Sequence, residues 1–288
     1  MKGSNTSPPP GERSMYSLIT LVSYLAVGTI VVLVGCLIVK GSGPLLHDFL
    51  ELMPGHVGET PWQIWLHTVW LLLVVTLLAL PLGVSAGIYF SEYAPDSFTA
   101  QKVLDAIGNL ALLPPIVYGL FGWGVLSFYW GIQSGFLLVV LTSSIWLLPS
   151  VIVMTYAALQ EVPVSFRRDS LALGATHWQT TYKAVLPYAW RNIAAGIFER
   201  MARVSGEVAP IIMIAASQAD FRAKTLRVLP YHLYRSVVES PHVGSESQLG
   251  TALLLLITAL LLQFIAIVVR QIQIAPIPSV ERRERGRW

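Results

Sequence analysis

The chain has 288 residues, 54% of them hydrophobic and 12% charged, with a mean hydropathy of +0.62. Soluble domains carry about 25% charged residues, so this composition excludes a soluble globular body and points to the multi-span membrane class. The net charge of +3 comes from basic residues spread over loops with no binding motif beside them, so no nucleic-acid partner is expected.

Residues 1–13 are polar and Pro-rich, the composition of a disordered tail. The apolar stretch 14–39 is too long for the core of a cleaved signal peptide, and no small-residue cleavage site precedes a soluble body. It is read as a retained first helix. Cys36, the single cysteine, lies within it, which excludes an intrachain disulfide and a cysteine-based metal site. An outer loop over 40–61 follows, then a second helix over about 62–90, with Pro81 and Gly83 expected to bend it.

The charge-free run after Asp105 extends to Gln160, long enough for two passes at about 20 residues each. Its double proline, Pro114-Pro115, predicts a break or kink at a functional interior. Tyr129-Trp-Gly-Ile-Gln-Ser-Gly135 predicts the turn between the two passes. The charged segment 192–216 and the apolar segment 249–269 complete six transmembrane helices. The expected fold is therefore an all-α membrane protein with a permease body over 14–270, an inner loop over 161–191, an outer loop over 217–248 and a basic tail over 271–288.

Lys and Arg set the orientation. Placing the N-terminus inside puts twelve of them at inner ends and loops, among them Lys102, Arg167, Arg168, Lys183 and Arg191. The outer side receives five: Lys40, Arg222, Lys224, Arg227 and Arg235. Both termini are expected in the cytoplasm, with the basic tail near anionic headgroups of the membrane lipids. The six histidines have no ligand-like spacing, and no phosphate loop or nucleophile motif occurs. No metal, cofactor or covalent chemistry is expected, and the chain is not read as an enzyme.

The inner loop is far longer than the usual roughly 4–6 residues. Residues 165–173 have helical character, and Gly174 stands where a C-cap would stop that helix. A second short helix is expected from Thr176, ending at Leu186-Pro187, so the two form a compact knob. A surface elbow without a partner is the alternative.

Glu199, Arg203 and Glu207 recur every four residues, which predicts one helix face on which they pair in sequence. Arg203 is expected ~16 Å along the helix from Asn192, near the middle of a ~30 Å hydrocarbon core. Ionisable residues there cost roughly 2.5–3.5 kcal/mol each on insertion scales, so they face a bundle interior or a wet path. A guanidinium matches phosphate or carboxylate oxygens with two parallel bonds and stays charged at any biological pH. The alternative is a structural salt bridge between helices.

Ala-Leu-Gly-Ala at 172–175, with nine residues between Gly174 and the Ala-Val-Leu-Pro at 184–187, resembles the signature loop of ABC importer permeases. In that family the motif begins with a glutamate and two small residues; Arg168, Asp169 and Ser170 stand there in this chain. The resemblance implies that Arg168, Asp169, Ala172, Gly174, Leu186 and Pro187 belong to a loop that docks into a cleft of an ATP-hydrolysing subunit. Met201-Ala-Arg-Val-Ser-Gly-Glu-Val-Ala-Pro210 resembles the PstA-type phosphate permeases, as do Gly87-Ile-Tyr-Phe-Ser-Glu-Tyr93 and Leu229-Pro-Tyr-His-Leu-Tyr234. Where many of those carry Arg-Thr-Thr-Glu at the end of helix four, this chain has Val153-Met-Thr-Tyr156. The resemblance implies a type I (MetI-like) permease in the bacterial inner membrane, with Arg203, Glu207 and Glu199 along the path of phosphate. It also implies three kinds of partner: a second, PstC-like permease subunit, a dimer of PstB-like ATPases and a PstS-like extracytoplasmic phosphate-binding protein. Sulfate or molybdate as cargo, or a non-transporting scaffold that docks an ATPase, are the other readings.

Overall fold

The computed structural model describes residues 10–50, 61–94, 97–132, 134–217, 227–239 and 246–272. The expected tails lie outside these residues except at 10–13 and 271–272, which belong to helices or their ends, and residues 218–226 and 240–245 of the expected outer loop also lie outside them. The helices are α1 (Pro10–Leu50), α2 (Pro61–Ile88), α3 (Phe98–Leu112), α4 (Pro115–Phe121), α5 (Gly135–Gln160), α6 (Val164–Ala172), α7 (His177–Thr180), α8 (Leu186–Ser205), α9 (Ala209–Ser217), α10 (Leu229–Glu239) and α11 (Glu246–Gln271). No strand occurs among the described residues.

Four helical stretches are long and apolar enough to cross a membrane: Met15–Leu46, Trp62–Tyr93, Gly135–Gln160 and Gln248–Gln271. A fifth is broken: Phe98–Leu112 and Pro115–Tyr129 meet at 97°. Pro114 and Pro115 cause the break, because neither can donate a backbone hydrogen bond and their rings clash with the preceding turn. Tyr118 Oη donates to Leu110 O (2.9 Å) across the bend, and the same carbonyl accepts from Leu113 N (3.1 Å). The charged segment forms α8 and α9, the remaining candidate for the sixth pass. The turn expected at 129–135 is present, with Gly131 at φ +70.

α2 and α5 form the centre of the bundle. Gly83 and Gly87 sit one turn apart on α2, and a Cβ at Gly83 would lie 2.6 Å from Val151 Cγ1 of α5, one at Gly87 2.6 Å from Thr155 Cβ. Small residues at this spacing let two backbones approach where lipid offers no hydrophobic drive. Gly83 thus serves close packing. Trp65 Nε1 donates to Thr258 Oγ1 (2.9 Å), tying α2 to α11, and Leu229 N donates to Thr68 Oγ1 (2.8 Å), tying α10 to α2. The main core runs through Leu71, Val75, Leu138, Val151 and Ile214. A second cluster of Leu159, Val162, Val185, Ala189 and Ile193 closes the end of the bundle nearest α6 and α7. α1 lies against α11 and leaves most of its side chains exposed.

Candidate functional site

The knob is built by local chemistry. α6 ends in a pair of crossed hydrogen bonds: Gly174 N donates to Leu171 O (2.9 Å) and Ala175 N to Ser170 O (3.2 Å). This is the Schellman arrangement, which places the residue after the cap in the left-handed region, and Gly174 has φ +85. The C-cap expected there is present. Thr176 then caps α7: its Oγ1 accepts from Gln179 N (3.2 Å), and Thr176 N donates to Gln179 Oε1 (2.9 Å). Ser170 and Thr180 share a 2.9 Å hydroxyl bond that joins the two short helices.

Arg168, Asp169, Ala172 and Gly174 are all exposed on this knob. So are Leu173 (89% exposed), Trp178 and Tyr182, the last two with stacked rings 6.1 Å apart. Nothing lies within 4 Å of where a Gly174 side chain would begin. The tip is open and exposes these apolar side chains beside the charged Arg168 and Asp169.

Leu186-Pro187 does not end the second helix as expected. The chain passes from α7 through a π turn, Thr181–Val185, straight into α8, and Leu186 N donates to Thr181 O. Pro187 sits in the first turn of α8, where its missing N–H costs nothing. The widened turn before it absorbs the irregularity without a break. α8 is therefore continuous with the knob.

The four-residue spacing of Glu199, Arg203 and Glu207 does not yield the expected chain of ion pairs. α8 stops at Ser205, and Glu207 lies in the short interruption before α9. Pro210 favours this, since it cannot donate to the Gly206 carbonyl and its ring crowds that group. Glu207 Oε1 instead accepts from Ala209 N (3.1 Å), at the start of α9. Glu199 reaches across to α11, with Oε1 2.6 Å from Arg270 Nη2. Arg203 is exposed near the end of α8 and makes no hydrogen bond or ion pair to another described residue.

Two arginines carry contacts that sequence spacing did not reveal. Arg200 donates from Nε to Ser150 O on α5 (3.0 Å) and from Nη1 to Gly196 O (3.2 Å). It lines a cleft between α5, α8 and α11 together with Val153, Asn192 and Glu199. Arg167, near the start of α6, holds Glu92 in a fork: Nε to Oε2 at 3.0 Å and Nη2 to Oε1 at 2.7 Å. Nη1 and Nη2 also donate to Val162 O and Leu159 O, both 2.9 Å, at the end of α5. The bond to Glu92 raises the Arg167 pKa above its ordinary value, against the opposing effect of burial. No local period signals a contact between residues so far apart in the chain.

A helical bundle with interrupted spans and an exposed two-helix knob running into a charged helix is the architecture of an importer permease. A chain of the MetNI methionine ABC transporter, in an inward-facing conformation, shares it with a TM-score of 0.58 and 17% identity, over 72% of this chain and 94% of that one. Residues 62–274 match the binding-protein-dependent transport system inner membrane component family, and the chain belongs to that family. The phosphate transport system permease protein PstA 1 of Mycobacterium tuberculosis is 29% identical over 201 residues, 68% of this chain and 66% of that protein. The probable phosphate transport system permease protein PstA of Methanocaldococcus jannaschii is 31% identical over 195 residues, 66% of this chain and 68% of that protein. The chain thus spans about two-thirds of the length of these two relatives.

Proposed function

We propose that this chain is a translocation subunit of an ATP-driven importer that carries inorganic phosphate into a bacterial cell. The observation that carries this reading is the continuity of the knob with α8: one helical element bears the tip at Gly174 and, farther along, Arg203, which makes no hydrogen bond or ion pair to another described residue. From Leu186 to Arg203 the helix rises about 26 Å, so movement at the tip reaches the arginine without a hinge other than the π turn. Similarity to permeases named for phosphate transport supports phosphate as the substrate.

On this reading a PstB-like ATPase dimer grips the knob from the cytoplasm and hydrolyses ATP, while this subunit performs no hydrolysis itself. A PstC-like permease covers the exposed face of α8, and a PstS-like binding protein delivers phosphate from outside. Both termini and residues 161–191 are cytoplasmic, and residues 217–248 face outward. Closure of the ATPases draws the knob inward and rocks α8 as a rigid body, which exposes Arg203 to one side and then the other. The Arg203 fork offers two parallel N–H bonds to phosphate oxygens. Glu207 sits in the break just beyond it and supplies a nearby negative charge that keeps the anion from being trapped.

Vesicles containing this chain with its three partners test the reading by ATP-dependent accumulation of labelled phosphate. Competition by sulfate or molybdate, with no phosphate uptake, would assign another tetrahedral oxyanion. Hydrolysis without accumulation of any anion would leave a scaffold that docks an ATPase.

A further inference from the structure

The knob is joined to the bundle through the chain at both ends, from α5 by residues 161–163 and into α8 by the π turn Thr181–Val185, and Phe166 packs against Tyr188 of α8. Its hydrogen-bonded tie to the end of α2 is made by one side chain. Arg167 spends four hydrogen bonds on three separate acceptor groups: both oxygens of Glu92 just beyond α2, and the carbonyls of Leu159 and Val162 where α5 ends. The Glu92 side chain is only 7% exposed and that of Arg167 22%, so the pair is shielded from water and from screening salt. Ser91 Oγ donates to Glu92 Oε1 (2.8 Å), and Gln160 Nε2 reaches Ser91 Oγ (3.4 Å), so the carboxylate is itself held in place.

These acceptors are what a planar guanidinium can satisfy and an ammonium cannot, because the fork presents donors in fixed directions. A positive charge at the last carbonyls of α5 also complements the negative end of that helix. The partners belong to the two helices that Gly83 and Gly87 lock together, so whatever holds Arg167 holds the α2–α5 pair as a unit.

We infer that Arg167 and Glu92 form a strut that transmits displacement of the knob to α2 and α5, making Arg167 a positioning residue for coupling rather than part of the docking face. The inference rests on the importer reading and extends it. Without the strut, a pull on the knob reaches α5 and α8 through the chain, but α2 loses its direct hydrogen-bonded link to the knob.

The complete importer, reconstituted in liposomes with parent, Arg167→Ala, Arg167→Lys or Glu92→Gln chains, tests this by the phosphate accumulated per ATP hydrolysed. The alanine variant is expected to assemble and hydrolyse ATP at close to the parent rate while its uptake per ATP falls about ten-fold or more, the scale of a lost coupling between sites. The lysine variant keeps the charge but cannot cover the four bonds, so its ratio is expected to fall as well. Glu92→Gln retains the side-chain shape and the two carbonyl contacts, so it assembles even where Arg167→Ala does not, and its ratio also drops. Parent-like uptake per ATP in any of the three assembled variants overturns the strut.

A second readout needs no substrate. Spin labels at Leu173 on the knob and Leu82 on α2, in a Cys36→Ser background, report the distance between the two elements. A narrow distribution in the parent and a broad or shifted one in Arg167→Ala is expected. If the parent complex accumulates no phosphate yet the distribution broadens, the phosphate reading falls and the strut stands. An unchanged distribution removes the strut whatever the cargo.

Discussion

Glu199 Oε1 lies 2.6 Å from Arg270 Nη2, so the acidic residue one turn before Arg203 on α8 is engaged with α11. With side chains 30% and 55% exposed, such a pair contributes roughly 0–1 kcal/mol. Arg203 is left without that partner and is available to a ligand or to a second subunit.

Glu199→Gln is expected to keep uptake within about five-fold of the parent, the scale set by a partly exposed ion pair. Arg203→Gln should lower uptake far more, by at least about ten-fold, since a charge-assisted bond to the anion is lost while reach and hydrogen bonding remain. Assembly should be intact in both. Recovery of full uptake in Arg203→Gln combined with Glu207→Gln would mean that the arginine is a strut between charges and not a substrate contact.

Gly174→Ala and Gly174→Asp separate backbone strain from docking. At φ +85 any Cβ costs about 1–2 kcal/mol, yet no neighbour lies within 4 Å, so both chains should reach the membrane. The alanine variant should retain most of its transport. The aspartate, larger and charged at an apolar tip, should uncouple hydrolysis from uptake. Coupled transport at the parent level with aspartate would count against docking through this face.

Gly83→Leu or Gly87→Leu should lower the yield of folded protein, because a Cβ alone already lies 2.6 Å from α5. Overpacking of this kind costs about 1–3 kcal/mol and sometimes more. Pairing Gly83→Ala with Val151→Ala should restore much of the loss in a thermal-shift measurement. A Gly83→Leu chain as stable as the parent would show that the α2–α5 approach is looser than the coordinates place it.

Topology is tested by single cysteines in a Cys36→Ser background with a membrane-impermeant thiol reagent. Position 170 should be protected in intact cells and labelled in opened ones. Labelling from outside would reverse the orientation proposed for the knob.

What could be read from the sequence follows the range of the forces involved. The turn at Gly174, the break at Pro114-Pro115 and the helix over 135–160 are decided by neighbouring residues, and composition reveals them. The interruption after Ser205 was also encoded locally, in Pro210, but a four-residue charge period drew the reading toward a continuous helix. Fork contacts such as Arg167 with Glu92, or Arg200 with the Ser150 carbonyl, join residues brought together only by packing of α2, α5 and α8. A basic residue in a loop carries no mark of such a partner, so Arg167 could be counted only for orientation.

The self-sufficiency of the knob has an evolutionary consequence. Its capping box, its crossed C-terminal bonds and the Ser170–Thr180 hydroxyl bond all lie within residues 170–180, and none draws on the rest of the bundle. Such a segment can change its surface, and so its choice of motor, while keeping its shape. Exchange of this cassette between related permeases should therefore retarget the chain to a different ATPase, provided that the root at Arg167 and its seat at Glu92 stay behind.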